Sequence, residues 1–158
     1  RKLLVDAYDM DARSELMWAS AMAENGILKI GKVTDFQAHM IEHQLGAYTD
    51  CNHGQGLAVI HPVLYRHMYK ESIPQFARLA RKVWHVEDQD KSEEEVALAG
   101  IEALGSFIKE MGLPTTLREM HIEDVDMLRK VADTSVLTTG CCKKFERDEI
   151  FEILKECL

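Results

Sequence analysis

The 158-residue sequence predicts an all-α fold, a multi-helix bundle read as one domain over residues 1–158. Three observations predict it. Apolar residues recur every three or four positions through most of the chain. Those periodic segments open on Ser, Asp or Thr and close on Gly or Asn, the residues that cap helix starts and stops. No pair of alternating apolar and polar segments joined by a hairpin turn is present.

The elements follow in order. "DARSELMWASAMAENG" reads as a helix capped by Asp11 and stopped by Asn25-Gly26. Its stripe is Ala12, Leu16, Ala19 and Ala23, with Met17 and Met22 beside it. A second helix spans Phe36 to about Tyr48, with Thr34 or Asp35 as cap and Met40, Ile41 and Leu45 facing inward. "HGQGLAVIHPVLYRHMY" is apolar on nearly every side and reads as a central, buried helix. Pro62 within it cannot donate to the Ala58 carbonyl, so a kink is expected there. "SIPQFARLARKVWHV" is capped by Ser72, carries Pro74 in its first turn and should bury Phe76, Leu79, Ala80 and Val83.

"SEEEVALAGIEALGSFIKEMG" has Ser92 as cap and three glutamates at its positive end. It carries Ala97, Ile101, Leu104, Ile108 and Met111 on one stripe and stops at Gly112. "HIEDVDMLRKVADTS" should bury Ile122, Val125, Leu128 and Val131, and a last helix from Asp148 should bury Ile150, Phe151 and Leu154. Thr134 to Glu146 lacks apolar periodicity and reads as the one long irregular stretch. Trp18 and Trp84 fall on apolar stripes and are expected in the core.

Hydrophobic residues make up 46% and charged residues 29%, as in a globular protein with a real core. A net charge of −8 with scattered Lys and Arg excludes a basic nucleic-acid surface. No stretch approaches the roughly 20 consecutive apolar residues of a membrane span. Cys51, Cys141, Cys142 and Cys157 form neither a CxxC pair nor a disulfide framework, which points to free thiols in a reducing, cytoplasmic setting.

"HMIEHQLGAYTDCNHG" carries the chemistry. His39 and His43 are four apart on one predicted helix, so their imidazoles share a face. His53 follows ten residues after His43, room for a helix end, a tight loop and the first turn of the next helix. Imidazole is the commonest metal ligand. By spacing alone, a metal site and a set of solvated, hydrogen-bonded histidines both remain open. Gly54-Gln55-Gly56 opens a helix but follows no strand, so it fails as a dinucleotide fingerprint and reads as room for close packing beside His53. Of the remaining histidines, His61 reads as a core residue serving a carbonyl freed by Pro62, and His67, His85 and His121 as surface residues. Tyr48 is a candidate to line a pocket near the cluster.

The full segment "HMIEHQLGAYTDCNHGQGLAVIHPVLY" resembles the histidine signature of the iron-containing alcohol dehydrogenases, in particular their butanol dehydrogenase branch. The shared pattern is H-x3-H-x-L-G, ten residues to a third histidine, then H-G-x-G-L-A and a helical proline. "ARSELMWASAMAENG", "FARLARKVWHV" and "MGLPTTLREMHI" extend the likeness over nearly the whole chain. The resemblance implies the metal-binding, all-helical C-terminal domain of such an enzyme. It implies His39 and His53 as ligands of Fe(II), or of Zn(II) as in some members, and His43 as a catalytic histidine beside substrate and nicotinamide. The family's other ligands, an aspartate and a histidine on an earlier helix, have no counterpart here, and neither does its NAD(H)- or NADP(H)-binding domain.

The expectation is therefore the metal-carrying part of a longer enzyme interconverting primary, butanol-like alcohols and aldehydes. The metal would be incompletely ligated by this chain, which would be inactive by itself and expected to self-associate as a homo-oligomer. The competing expectation is a stand-alone helical module that binds a metal or a partner without catalysis.

Overall fold

The computed structural model describes residues 1–140 and 142–158. Among these there are eight α-helices, three short 3-10 helices and no strand, as an all-α fold requires. The chain divides into two compact units, Arg1–Thr34 and Asp35–Leu158. Among the described residues, no helix is long and apolar enough to cross a membrane.

The first unit holds α1 (Lys2–Val5), α2 (Met10–Glu24) and a 3-10 turn at Ile27–Lys29. The α2 cap is Asp9 rather than Asp11: the Asp9 carboxylate accepts from the Ala12 amide at 2.9 Å, leaving Asp11 in the first turn. Either aspartate is chemically fit to cap, and the extended backbone at Asp9 selects it. Asn25 and Gly26, with φ of +86° at the glycine, end the helix where the sequence predicts. No residue of α2 is buried. Trp18 is 67% exposed, so its expected place in a core is corrected.

The second unit holds α3 (Gln37–Thr49), α4 (His53–Met68), α5 (Ile73–Val83), α6 (Glu93–Glu110), α7 (Val125–Thr134) and α8 (Arg147–Glu156). Helix α4 touches α3, α6 and α8, which is the central position its all-round apolarity predicts. One core cluster joins α3, α4, α7 and α8 through side chains such as Ile41, Leu45, Ile60, Leu64, Leu128 and Leu154. Each such fully buried side chain contributes about 1.5–3 kcal/mol. A second cluster lies on α5 and α6, around Ala77, Ala80, Val96, Ala97 and Ile101. Tyr65 and Phe76 pack against both.

The α5 stripe differs from the expected one. Ala77 and Ala80 are buried, whereas Val83 is 53% exposed. The reason is on α6: a Cβ at Gly100 would lie 2.6 Å from the Ala80 Cβ, so the helices meet backbone to backbone through their smallest residues. Helix α6 itself starts as predicted, with a reciprocal Ser92–Glu95 capping box. Trp84 is half-buried against Phe107, ring centroids 5.5 Å apart.

The irregular stretch before α8 turns out to be anchored. Phe145 is among the largest fully buried side chains, 1% exposed. Gln37, at the start of α3, donates through Nε2 to the Lys143 carbonyl at 2.7 Å and accepts from the Phe145 amide at 2.9 Å. Of the paired cysteines, Cys142 is a free thiol and Cys141 lies outside the described residues. Cys157 is buried, and burial pushes its thiol up to about 12, so it is an inert core group.

Candidate metal centre

Helices α3 and α4 run against each other through a tight turn in which Asp50, at φ +54°, ends α3 and Asn52 caps α4 by accepting from the Gln55 amide. This geometry places His53 at the first position of α4, beside α3. The three sequence-predicted histidines come together. Ring centroids of His39 and His53 are 5.4 Å apart, those of His43 and His53 5.3 Å, and those of His39 and His43 6.2 Å. His39 is half-buried, while His43 and His53 are exposed. His39 also stands 5.1 Å from the Phe36 ring and 6.1 Å from the His61 ring, which makes it the hub of the cluster.

His61 is thus part of the cluster, a role spacing did not reveal. Its Nδ1 donates to the Leu57 carbonyl at 2.9 Å, one turn back, rather than to the Ala58 carbonyl opposite Pro62, and α4 continues through Pro62 to Met68. Burial holds its imidazole below the ordinary histidine value, so the ring is neutral near neutral pH. His61 borders a cavity of about 260 Å³ lined mainly by Leu64, Tyr65, Met68 and Phe76, with Asp35 and Cys142 at its polar edge. Tyr65 fills the place expected of an aromatic near the histidines, its ring 5.3 Å from His61; Tyr48 is 44% exposed and does not border this cavity.

Glu42 is the residue that the sequence reading missed. It sits on α3 between the two histidines and is only 2% exposed. Its carboxylate pairs with His53 Nδ1. Gly56 makes this possible: a Cβ there would fall 2.7 Å from the Glu42 Cγ. Cys51 Sγ lies 4.0 Å from the other carboxylate oxygen. The second glycine of "HGQG" was the available signal, since it stands one turn into a helix where only close packing explains it.

The donor set suits a divalent transition ion. Two imidazoles on one tetrahedral ion have centroids roughly 5 Å apart; His39 and His43 both stand at about that spacing from His53, so the spacing does not choose between them. Ligand atoms of Glu42, His43 and His53 all lie within 4.8 Å of one another, a group that includes His43 and does not include His39. Nitrogen and oxygen donors without thiolate fit Fe(II) and Zn(II) alike.

A model of the Fe-containing alcohol dehydrogenase family, C-terminal part, matches residues 1–158. The chain belongs to this family. Among curated relatives, a probable NADH-dependent butanol dehydrogenase of Bacillus subtilis is 33% identical over 99% of the chain and 41% of its own length. The NADH-dependent butanol dehydrogenase B of Clostridium acetobutylicum is 37% identical over 84% of the chain and 34% of its length. Among solved structures, the NADH-dependent butanol dehydrogenase A of Thermotoga maritima superposes with a TM-score of 0.90 at 31% identity, over 99% of the chain and 41% of that one. The likeness read from the histidine segment therefore holds across the chain, and the helical architecture is that of the family's C-terminal domain. The chain spans about two fifths of the length of the first relatives it matches.

Proposed function

We propose that this chain is the metal-carrying part of an NAD(P)-dependent dehydrogenase that interconverts short primary alcohols and aldehydes. The observation that carries the reading is the histidine cluster centred on His39, which adjoins a mainly apolar cavity through His61. Family membership and the butanol dehydrogenases among its relatives support the reaction class.

In this reading His39 and His53 hold the ion, Fe(II) or Zn(II), and His43, exposed beside them, exchanges the substrate proton with solvent. When bound, the ion supplies Lewis-acid polarisation of the alcohol oxygen, and the nicotinamide supplies a hydride acceptor. The chain's own residues set the stage for both. Leu64, Met68 and Phe76 offer an apolar wall for a short alkyl chain. His61 stays neutral next to His39 and adds no positive charge to the cluster.

Anaerobic titration of Fe(II), then Zn(II), into the chain and its His39→Ala and His53→Ala variants tests the ligand assignment. Binding that is strongly weakened in both variants is expected. Equal binding in the parent and both variants would remove these residues from the shell. In the enzyme that carries this chain, His43→Ala should lower kcat for butanol oxidation, followed by nicotinamide absorbance, while leaving the metal content unchanged.

A further inference from the structure

We propose that Glu42 is a positioning residue for His53: its buried carboxylate takes the Nδ1 hydrogen bond and so leaves Nε2 as the nitrogen that faces a metal. The inference deepens the metal assignment above and rests on it for its functional meaning, though the hydrogen-bond arrangement can be tested without any metal.

A glutamate is almost never fully buried unless it is paired. Glu42 is 2% exposed, and one of its oxygens, Oε2, meets His53 Nδ1. The other oxygen is enclosed. Gly56 would clash with it if it carried a Cβ, at 2.9 Å; a Cβ at Gly46 would stand 3.6 Å away; Cys51 Sγ is at 4.0 Å. The carboxylate is therefore threaded under the first turn of α4, in room that the missing Cβ of Gly56 leaves, with a single oxygen aimed at one ring nitrogen. With the carboxylate oxygen accepting in this pair, Nδ1 carries the hydrogen and Nε2 the lone pair. A ligating histidine whose second nitrogen is held by a carboxylate is oriented and made a better donor.

The pair also explains why residues on two helices are needed. Glu42 reaches His53 only because α3 and α4 touch, and Gly56 sets how closely they do so beside the pair. The same oxygens could instead coordinate an ion directly, since Glu42, His43 and His53 offer atoms within 4.8 Å of one another. The enclosure of Oε1 favours the positioning role.

The test is nitrogen-15 NMR of the metal-free chain at a pH where free imidazole is neutral. Two-bond proton–nitrogen correlations report which ring nitrogen of His53 carries hydrogen. The expected result is the Nδ1–H form in the parent, and its loss in Glu42→Ala. Gly56→Ala provides a second route to the same result, because its methyl group displaces Glu42 without altering either partner. An Nε2–H ring or a doubly protonated ring in the parent overturns the proposal, and so does an unchanged tautomer in Glu42→Ala.

Cadmium-113 then serves as the probe metal. Coupling to His53 Nε2 is expected, with affinity falling by about 10–100-fold in Glu42→Gln. Coupling to Nδ1 overturns the proposal. If cadmium perturbs neither His39 nor His53, the metal assignment fails, while the tautomer result still decides the role of Glu42.

Discussion

Helix α2 in residues 1–34 and helix α6 in residues 35–158 are built with the same local devices. Each has a side-chain cap, Asp9 or Ser92, an acidic first turn and a glycine with positive φ just beyond its end. Yet α6 buries Val96, Ala97, Gly100, Ile101 and Ile108, whereas α2 buries nothing and leaves Leu16, Met17 and Trp18 61–73% exposed. The difference separates two contributions that a sequence mixes together. Caps and spacing decide where a helix begins and ends. Its stability within a protein comes mostly from a partner surface over the apolar stripe. In α6 that surface is α5, received at Gly100.

The contrast can be tested first by removing apolar volume from each unit. Phe145→Ala should cost about 3–5 kcal/mol of unfolding free energy, because it opens a cavity in the second unit's core. Leu16→Ala should cost less than about 0.5 kcal/mol. Urea unfolding of the two variants compares them directly. Similar costs would mean that α2 does have a covering surface.

A smaller effect sharpens the account of why α6 is buried. Gly100→Val inserts volume where α5 and α6 meet at Ala80, and should cost about 1–3 kcal/mol in the same unfolding assay. A neutral result would show that the helices can part without penalty, and that the close approach is incidental.

The smallest effect concerns charge. Arg81 on α5 pairs with Asp88 and with Glu93 at the start of α6, and these contacts hold both carboxyls below their ordinary values. Folded-state values lower than unfolded ones mean stability that is present above the carboxylate range and lost as pH falls through it. Solvent exposure keeps this contribution modest. Arg81→Met should flatten the acid limb of the second unit's stability curve, followed by circular dichroism across pH. An unchanged acid limb would show that the pairs add nothing to holding α5 on α6.

Much of the fold was legible because its signals are local. Ser92, the Asn25-Gly26 stop and the turn at residues 50–52 all act within one helical turn of chain. The same locality explains the misreadings. Asp9 and Asp11 are equivalent as text, and only backbone geometry chooses Asp9. The α5 stripe keeps Ala80 as expected but takes in Ala77 and leaves Val83 out, because a glycine on another helix admits the small residues. Phe145 lies in a stretch without periodicity, and the bonds from Gln37 that seat it span more than a hundred residues. Glu42 reads as one more solvated acid until Gly56 is seen beneath it.

The sequence by itself determined the helical class, the stops of α2 and α6, the family and the shared face of His39 and His43, because each depends on spacing along one chain segment. Only the tertiary structure decided that His61 joins the cluster, that an apolar cavity opens next to it, and that Glu42 is buried against His53. Those outcomes depend on how closely α3, α4 and their neighbours approach. That approach is set by side-chain volumes at positions distant in sequence, which no local periodicity encodes.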